Sequence, residues 1–230
     1  MLFRSLSPSG SVYDENHPGS GSYEGFAFVL STDGTTKIAS TFIGGTFDEN
    51  VYEIRLDSSN NIFVAGTTSS SNFELTLDAI DSTYLNAEGF LSILSNDCSS
   101  LIFSTFIGGD GSDSLRCLEI DENNYIYLAG TTPSTDFLTV NALYSDLTGT
   151  DGFVMKIDNE TKTVDFSTYI GGAGTEWIYT LQASSSYIHI GGYTQSTDFP
   201  VTYGAINDSR INSNDVVYCR IDNEIDGNDV

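Results

Sequence analysis

A chain of 230 residues, 39% of them hydrophobic, is long enough for one substantial core or a short array of repeated units. Acidic residues outnumber basic ones 32 to 8, and the resulting charge of -24 repels DNA, RNA and anionic membranes, arguing against a nucleic-acid role. Three cysteines with no Cys-x-x-Cys pair give no zinc spacing, and no apolar run reaches the roughly 20 residues of a membrane-spanning helix.

Fourteen Phe, thirteen Tyr and 22 Gly point to strands and tight turns rather than helices. The start, MLFRSLSPSGSVYDENHPG, carries no apolar stretch of signal-peptide length. The chain is therefore expected to be soluble, with any export signal absent or upstream of Met1. Spacing alone leaves open a disulfide between Cys98 and Cys117, with Cys219 remaining.

Residues 1–24 read as an irregular segment, the tail of a preceding repeat. Leu6 to Asp14 is a worn copy of Phe199 to Asn207. Two strand-like runs, GFAFVL (25–30) and TKIASTFIGG (36–45), follow around the hairpin signal Asp33-Gly34. A first full unit covers 49–109, with ENVYEIRLD, NIFVAGTT, GFLSIL and SLIFSTFIGG as its four strands. A second covers 113–172 with SLRCLEID, NYIYLAGTT, GFVMKID and TVDFSTYIGG. A third, 176–222, supplies WIYTLQAS, YIHIGGYT and DVVYCRID but no fourth strand, and 223–230 is an acidic tail.

Three markers keep one period. Ile-Gly-Gly begins at Ile43, Ile107 and Ile170, spacings of 64 and 63 residues. Gly-Phe begins at Gly25, Gly89 and Gly152, and the second strand of each unit ends in Gly66, Gly130 or Gly192. Four short strands repeated at fixed spacing, separated by Gly- and Asp-containing turns, indicate an all-β, β-propeller-like array of four-stranded antiparallel blades. The chain supplies about three blades, a partial propeller; a β-solenoid is the alternative. Such a sheet is stable only when stacking on its neighbours buries both faces.

The set STYIGG (167–172), DGSDS (110–114), EIDENNYIYLAGTT (119–132), DGFVMKID (151–158) and STDFP (196–200) resembles the bacterial and archaeal β-propeller repeat called SBBP. The resemblance spans about residues 6–222. It implies a secreted or cell-surface protein; with no catalytic motif in the residues, the expected function is a non-enzymatic structural or interaction module that binds a protein, a glycan or a cation. By similarity to related propellers, the strand before the Asp-rich turn is innermost and STFIGG outermost. Thirteen strands do not close a ring, so the chain is either a fragment of a longer protein or one half of a two-chain ring.

Glu49, Asp113 and Glu176 each stand six residues after the Ile of Ile-Gly-Gly. Two readings apply. They ring a channel mouth and bind Ca2+ through hard oxygen ligands, or each accepts backbone N–H bonds where its strand begins. Trp177, the one tryptophan, either stacks on a sugar at that mouth or packs into the adjacent blade. Asn72-Phe73, Asp136-Phe137 and Asp198-Phe199 are expected to plug the long connection onto each blade. Asp57 and Asp121 are expected in hairpin turns, and His189 between sheets. Asn159-Glu-Thr161 and Asn207-Asp-Ser209 match the glycosylation pattern. Neither a nucleophile elbow nor a phosphate loop occurs; the alternative function is a carbohydrate-active hydrolase or lyase with an acidic site at the channel mouth.

Overall fold

The computed structural model describes residues 23–203, 205–206 and 214–222. The expectations for the N-terminal segment through residue 22, the 207–209 acceptor and the acidic tail lie outside the described residues. Within them the chain is all-β, with thirteen strands in four antiparallel sheets. They contain no helix, and so none long and apolar enough to cross a membrane.

Each sheet takes its strands in chain order. The first pairs β1 (Gly25–Leu30) with β2 (Lys37–Ile43). The second is β3 (Glu49–Leu56), β4 (Ile62–Thr68), β5 (Glu88–Leu94) and β6 (Leu101–Ile107). The third is β7 (Ser114–Ile120), β8 (Tyr125–Thr132), β9 (Asp151–Asp158) and β10 (Val164–Ile170). The fourth has three strands, β11 (Glu176–Ala183), β12 (Tyr187–Thr194) and β13 (Asp215–Asp222).

The sheets form a stack because successive residues of a strand point to opposite faces. Along β4, Ile62 and Val64 enter a core shared with the first sheet, while Phe63 and Ala65 enter one shared with the third. Along β8, Ile126 and Leu128 face the second sheet, and Tyr127 and Ala129 face the fourth. Three apolar layers result, and Phe63, Phe90, Phe103, Phe106 and Phe153 are at most 1% exposed. Each such ring contributes about 2–3 kcal/mol by leaving water. Cys98 lies in the layer between the first two sheets and Cys117 in the layer between the last two. All three cysteines are free thiols, so the bridge between Cys98 and Cys117 does not form.

The glycine markers have a steric cause. A Cβ on Gly66, Gly130 or Gly192 would stand within 2.1 Å of a carbonyl oxygen, that of Asn50, Ser114 or Trp177. A Cβ on Gly89 would press at 2.8 Å on Leu115 of the next sheet. The period is therefore written by the places where backbones meet most closely.

The long connections cover an edge. Residues 69–87 fold back along β6, where Ser104 N donates to Thr76 Oγ1 at 3.0 Å and Phe106 N to the Asp81 carbonyl at 3.1 Å. In the third sheet Val140 bridges Ser167, and Tyr144 N donates to Thr168 Oγ1. The free N–H groups of the last strand are thus occupied rather than left as a template for another chain.

Phe73 and Phe137 anchor these connections as expected, their centroids 4.6 Å from Phe90 and Phe153 respectively. In the hairpin turns, Asp57 accepts from the N–H groups of Ser59 and Asn61, and Asp121 from those of Asn123 and Tyr125. Asn60 and Asn124 take the left-handed positions, with φ of 62° and 67°. The third unit, which has no aspartate there, uses Ser184 Oγ to accept from Tyr187 N at 3.2 Å.

The end sheets leave one face uncovered among the described residues. Phe26, Phe28 and Ile38 of the first sheet are 48%, 41% and 54% exposed, and Tyr218 of the last is 69% exposed. His189 lies on that last open face, its Nδ1 2.7 Å from the Tyr218 hydroxyl, so among the described residues it is not between sheets. Ile54 and Leu56 are exposed, although their counterparts Leu118 and Ile120 pack on the second sheet. Among the described residues the first sheet has two strands and presents nothing for them to pack against.

Candidate functional site

The three aligned carboxylates sit where the sequence places them, at or just before the start of the first strand of their sheets, and all are buried. Glu49 accepts from Gly45 N at 3.2 Å and from Thr68 Oγ1 at 2.7 Å. Asp113 accepts from Gly109 N at 2.9 Å and Ser134 Oγ at 2.7 Å. Glu176 accepts from Gly172 N at 3.1 Å and from Thr194 Oγ1 and Ser196 Oγ, both at 2.5 Å. Each folds the Ile-Gly-Gly turn back onto its own sheet, the second of the two readings. Among the described residues no group of three or more His, Cys, Asp or Glu converges on one point, so the three are not a common ligand set.

The hydroxyl and amide partners belong to a wider clasp. Ser70, Ser134 and Ser196 accept from the N–H groups of Phe47, Gly111 and Gly174. Asn72, Asp136 and Asp198 accept from Thr46, Asp110 and Ala173. A Ser-x-(Asn/Asp)-Phe segment therefore buckles the start of the long connection to the preceding turn, in every unit.

A second carboxylate set escaped the sequence reading. Glu88 and Asp151 directly precede the Gly-Phe marker; they are 0% and 2% exposed and face the first set. A Cβ placed on Gly108 would lie 1.9 Å from Glu88 Oε2 and 2.7 Å from Asp113 Oδ2. On Gly171 it would lie 2.4 Å from Glu176 Oε2 and 2.6 Å from Asp151 Oδ1. Burial, with the neighbouring Asp113 charge adding, pushes Glu88 up to about 7 despite N–H donation from Leu85 and Asn86. Burial and Glu176 push Asp151 up to about 6, and burial raises Asp113. The signal was available as an acidic residue before each Gly-Phe, Glu24 included, but turn acids are common and the pairing is visible only in three dimensions.

The first strands carry a second repeated feature. Register shifts fall between Val51 and Glu53, Leu115 and Cys117, and Ile178 and Thr180. Each is a bulge at one place in the repeat, and the extra residues are Tyr52, Arg116 and Tyr179. A bulge re-aims its side chain, and here the three line up across successive sheets. The Arg116 guanidinium lies 4.8 Å from the Tyr52 ring centre and 5.4 Å from that of Tyr179. Trp177 adds a third ring at 5.2 Å and stacks on Tyr179, which meets Tyr193. Trp177 is half-buried, whereas Tyr52 and Tyr179 are 42% and 52% exposed. Beside this row Arg55 pairs with Glu53 and, across to the next sheet, with Glu119.

Cys117 is buried and its thiol is pushed up to about 12 by desolvation, far from a reactive thiolate. Asn159 lies in the turn after β9 and accepts from Lys162 Nζ. The chain matches no protein-family model, and no curated protein is significantly similar to it.

Proposed function

We propose that the chain is an arc of β-propeller-type blades of the SBBP kind, a non-enzymatic interaction module that binds a glycan at the cell surface or outside the cell. The observation that carries this reading is the row Tyr52–Arg116–Tyr179 with Trp177, a run of ring faces held around one guanidinium on the first strands of three sheets. Rings with a polar tip suit a ligand that is apolar on its C–H face and hydroxylated at its rim. Arg116, Arg55, Glu53 and Glu119 supply the hydrogen-bonding border.

The competing reading is a carbohydrate-active hydrolase or lyase. It needs carboxylates that reach substrate, and Glu49, Asp113 and Glu176 face inward at 3%, 1% and 0% exposure. Among the described residues the first and last sheets each leave a face uncovered, which favours further blades beyond this arc, from a longer chain or from a second copy. The test is a glycan microarray probed with the full chain, then with Tyr52→Ala and Tyr179→Ala. Binding weakened tenfold or more by either substitution supports the reading. Binding indifferent to both, or glycan turnover lost on Asp113→Asn, overturns it.

A further inference from the structure

We propose that the carboxylate pairs Glu88–Asp113 and Asp151–Glu176 are divalent-cation sites, one at the Ile-Gly-Gly turn of each four-stranded sheet, with the chemistry of Ca2+. Proximity and unsatisfied burial converge on these pairs. Glu88 and Asp113 have oxygens within 2.7 Å of one point at Gly108, and Asp151 and Glu176 have oxygens within 2.6 Å of one point at Gly171. The two bonds of an ion held between such oxygens span about 5 Å for calcium. Each pair is therefore close enough to share one ion.

The pairs also hold oxygens that nothing else satisfies. Glu88 Oε2 and Asp151 Oδ1, the oxygens that face these points, are buried without a hydrogen-bond partner, on side chains that are at most 2% exposed. Glu88 Oε2 points at the bare Cα of Gly108, where a side chain would exclude it. Two facing carboxylates out of water need a counter-charge or a shared proton. The ion pairs of Arg55 and of Arg220 do not reach these groups.

The arrangement occurs twice, built from Glu with Asp in one sheet and from Asp with Glu in the next. The chain lengths trade places, so the oxygens meet at the same point of the turn. Ser134 and Thr132, or Ser196 and Thr194, stand beside the pair as further oxygen ligands. Hard oxygens of this kind, in an irregular mixture, match calcium better than the octahedral demand of magnesium. The sites are separate from the tyrosine–arginine row and do not depend on its ligand.

The test is calorimetric titration of CaCl2 into the full chain after chelator treatment and desalting, together with thermal melts. Expected are saturable binding of at least two ions per chain and a rise in Tm of about 5 °C or more at excess calcium. Glu88→Gln removes one equivalent and Asp151→Asn removes another, each independently, whereas the exposed Glu74→Gln removes none. Because the two substitutions act in different sheets, loss of folding in one leaves the other as the test. Three results overturn the proposal: no saturable binding below about 10 mM calcium, stoichiometry unchanged in both variants, or a Tm that rises on acidification and ignores calcium. The last would assign the pairs to proton sharing.

Discussion

In calcium-free buffer, Glu88→Gln is expected to stabilise the protein at pH 8 and to do little at pH 5. Glu88 has its carboxyl raised from 4.5 to about 7 by burial and by Asp113. A raised carboxyl binds its proton in the folded chain at a pH where the unfolded chain has released it. Stability therefore falls as pH rises from about 4.5 to 7 and stays low above it. The displacement corresponds to at most about 3 kcal/mol. The glutamine oxygen can still accept from Leu85 N, now 3.1 Å from Glu88 Oε1, and the amide turns a repelling oxygen into a donor toward Asp113. For a chain of this length the gain at pH 8 is roughly 5–10 °C in Tm. Circular-dichroism melts of both proteins at pH 5 and pH 8 in chelator measure it. In saturating calcium the sign should reverse, because the substitution then removes a ligand. A variant less stable than the parent at pH 8 in chelator, or a difference equal at both pH values, would refute the buried repulsion.

Gly130→Ala should cost more than about 4 kcal/mol, since its Cβ would sit 2.0 Å from the Ser114 carbonyl. Gly34→Ala, with φ of 71° and open space around it, should cost only about 1 kcal/mol. Urea melts that rank the two equally would undo the explanation of the glycine period. Phe137→Ala should cost about 3–5 kcal/mol by emptying the anchor beneath the long connection, and should speed amide exchange along β10 as the covering segment lifts. Light scattering of the purified chain should give a mass above the single-chain 24.9 kDa that falls on Phe28→Glu. A strictly monomeric particle would mean that the open faces need no cover.

All thirteen strands were legible because turn glycines and aspartates bracket short apolar runs, and every boundary falls within a few residues of its expectation. The wrapping of residues 69–87 along β6 was not, since its bonds run from Thr76 and Asp81 to main-chain groups that carry no side-chain signature. The role of Phe73 and Phe137 was readable, because a large apolar residue repeated in a polar connection has few places to go. The aligned carboxylates were found but their partners were not. Glu49, Asp113 and Glu176 share a position after Ile-Gly-Gly, whereas Glu88 and Asp151 reach them only through the antiparallel pairing that brings β5 and β9 beside the turn. The bulges were hidden for another reason. Tyr52, Arg116 and Tyr179 break the alternation of their strands, and in a single sequence a broken alternation reads as noise.

What is identical between units explains how the chain folds, and what differs at equivalent places is where discrimination can lie. The glycines, the Ser-x-(Asn/Asp)-Phe buckle and the facing carboxylates recur with little change, and each has a steric or hydrogen-bonding cause. The bulge is different, with Tyr, Arg and Tyr in one architectural slot, and Asn50, Ser114 and Trp177 two positions earlier. A slot that holds tyrosine in two units accommodates tyrosine sterically, so Arg116→Tyr should fold. Its loss is limited to the ring contacts of one guanidinium, about 1–2 kcal/mol in all. If Arg116 is there for a ligand, the same substitution should abolish glycan binding while the melting temperature moves by only a few degrees. An Arg116→Tyr protein that unfolds would instead make the arginine a structural pin between Tyr52 and Tyr179. One that folds and binds as before would take the guanidinium out of the recognition face altogether.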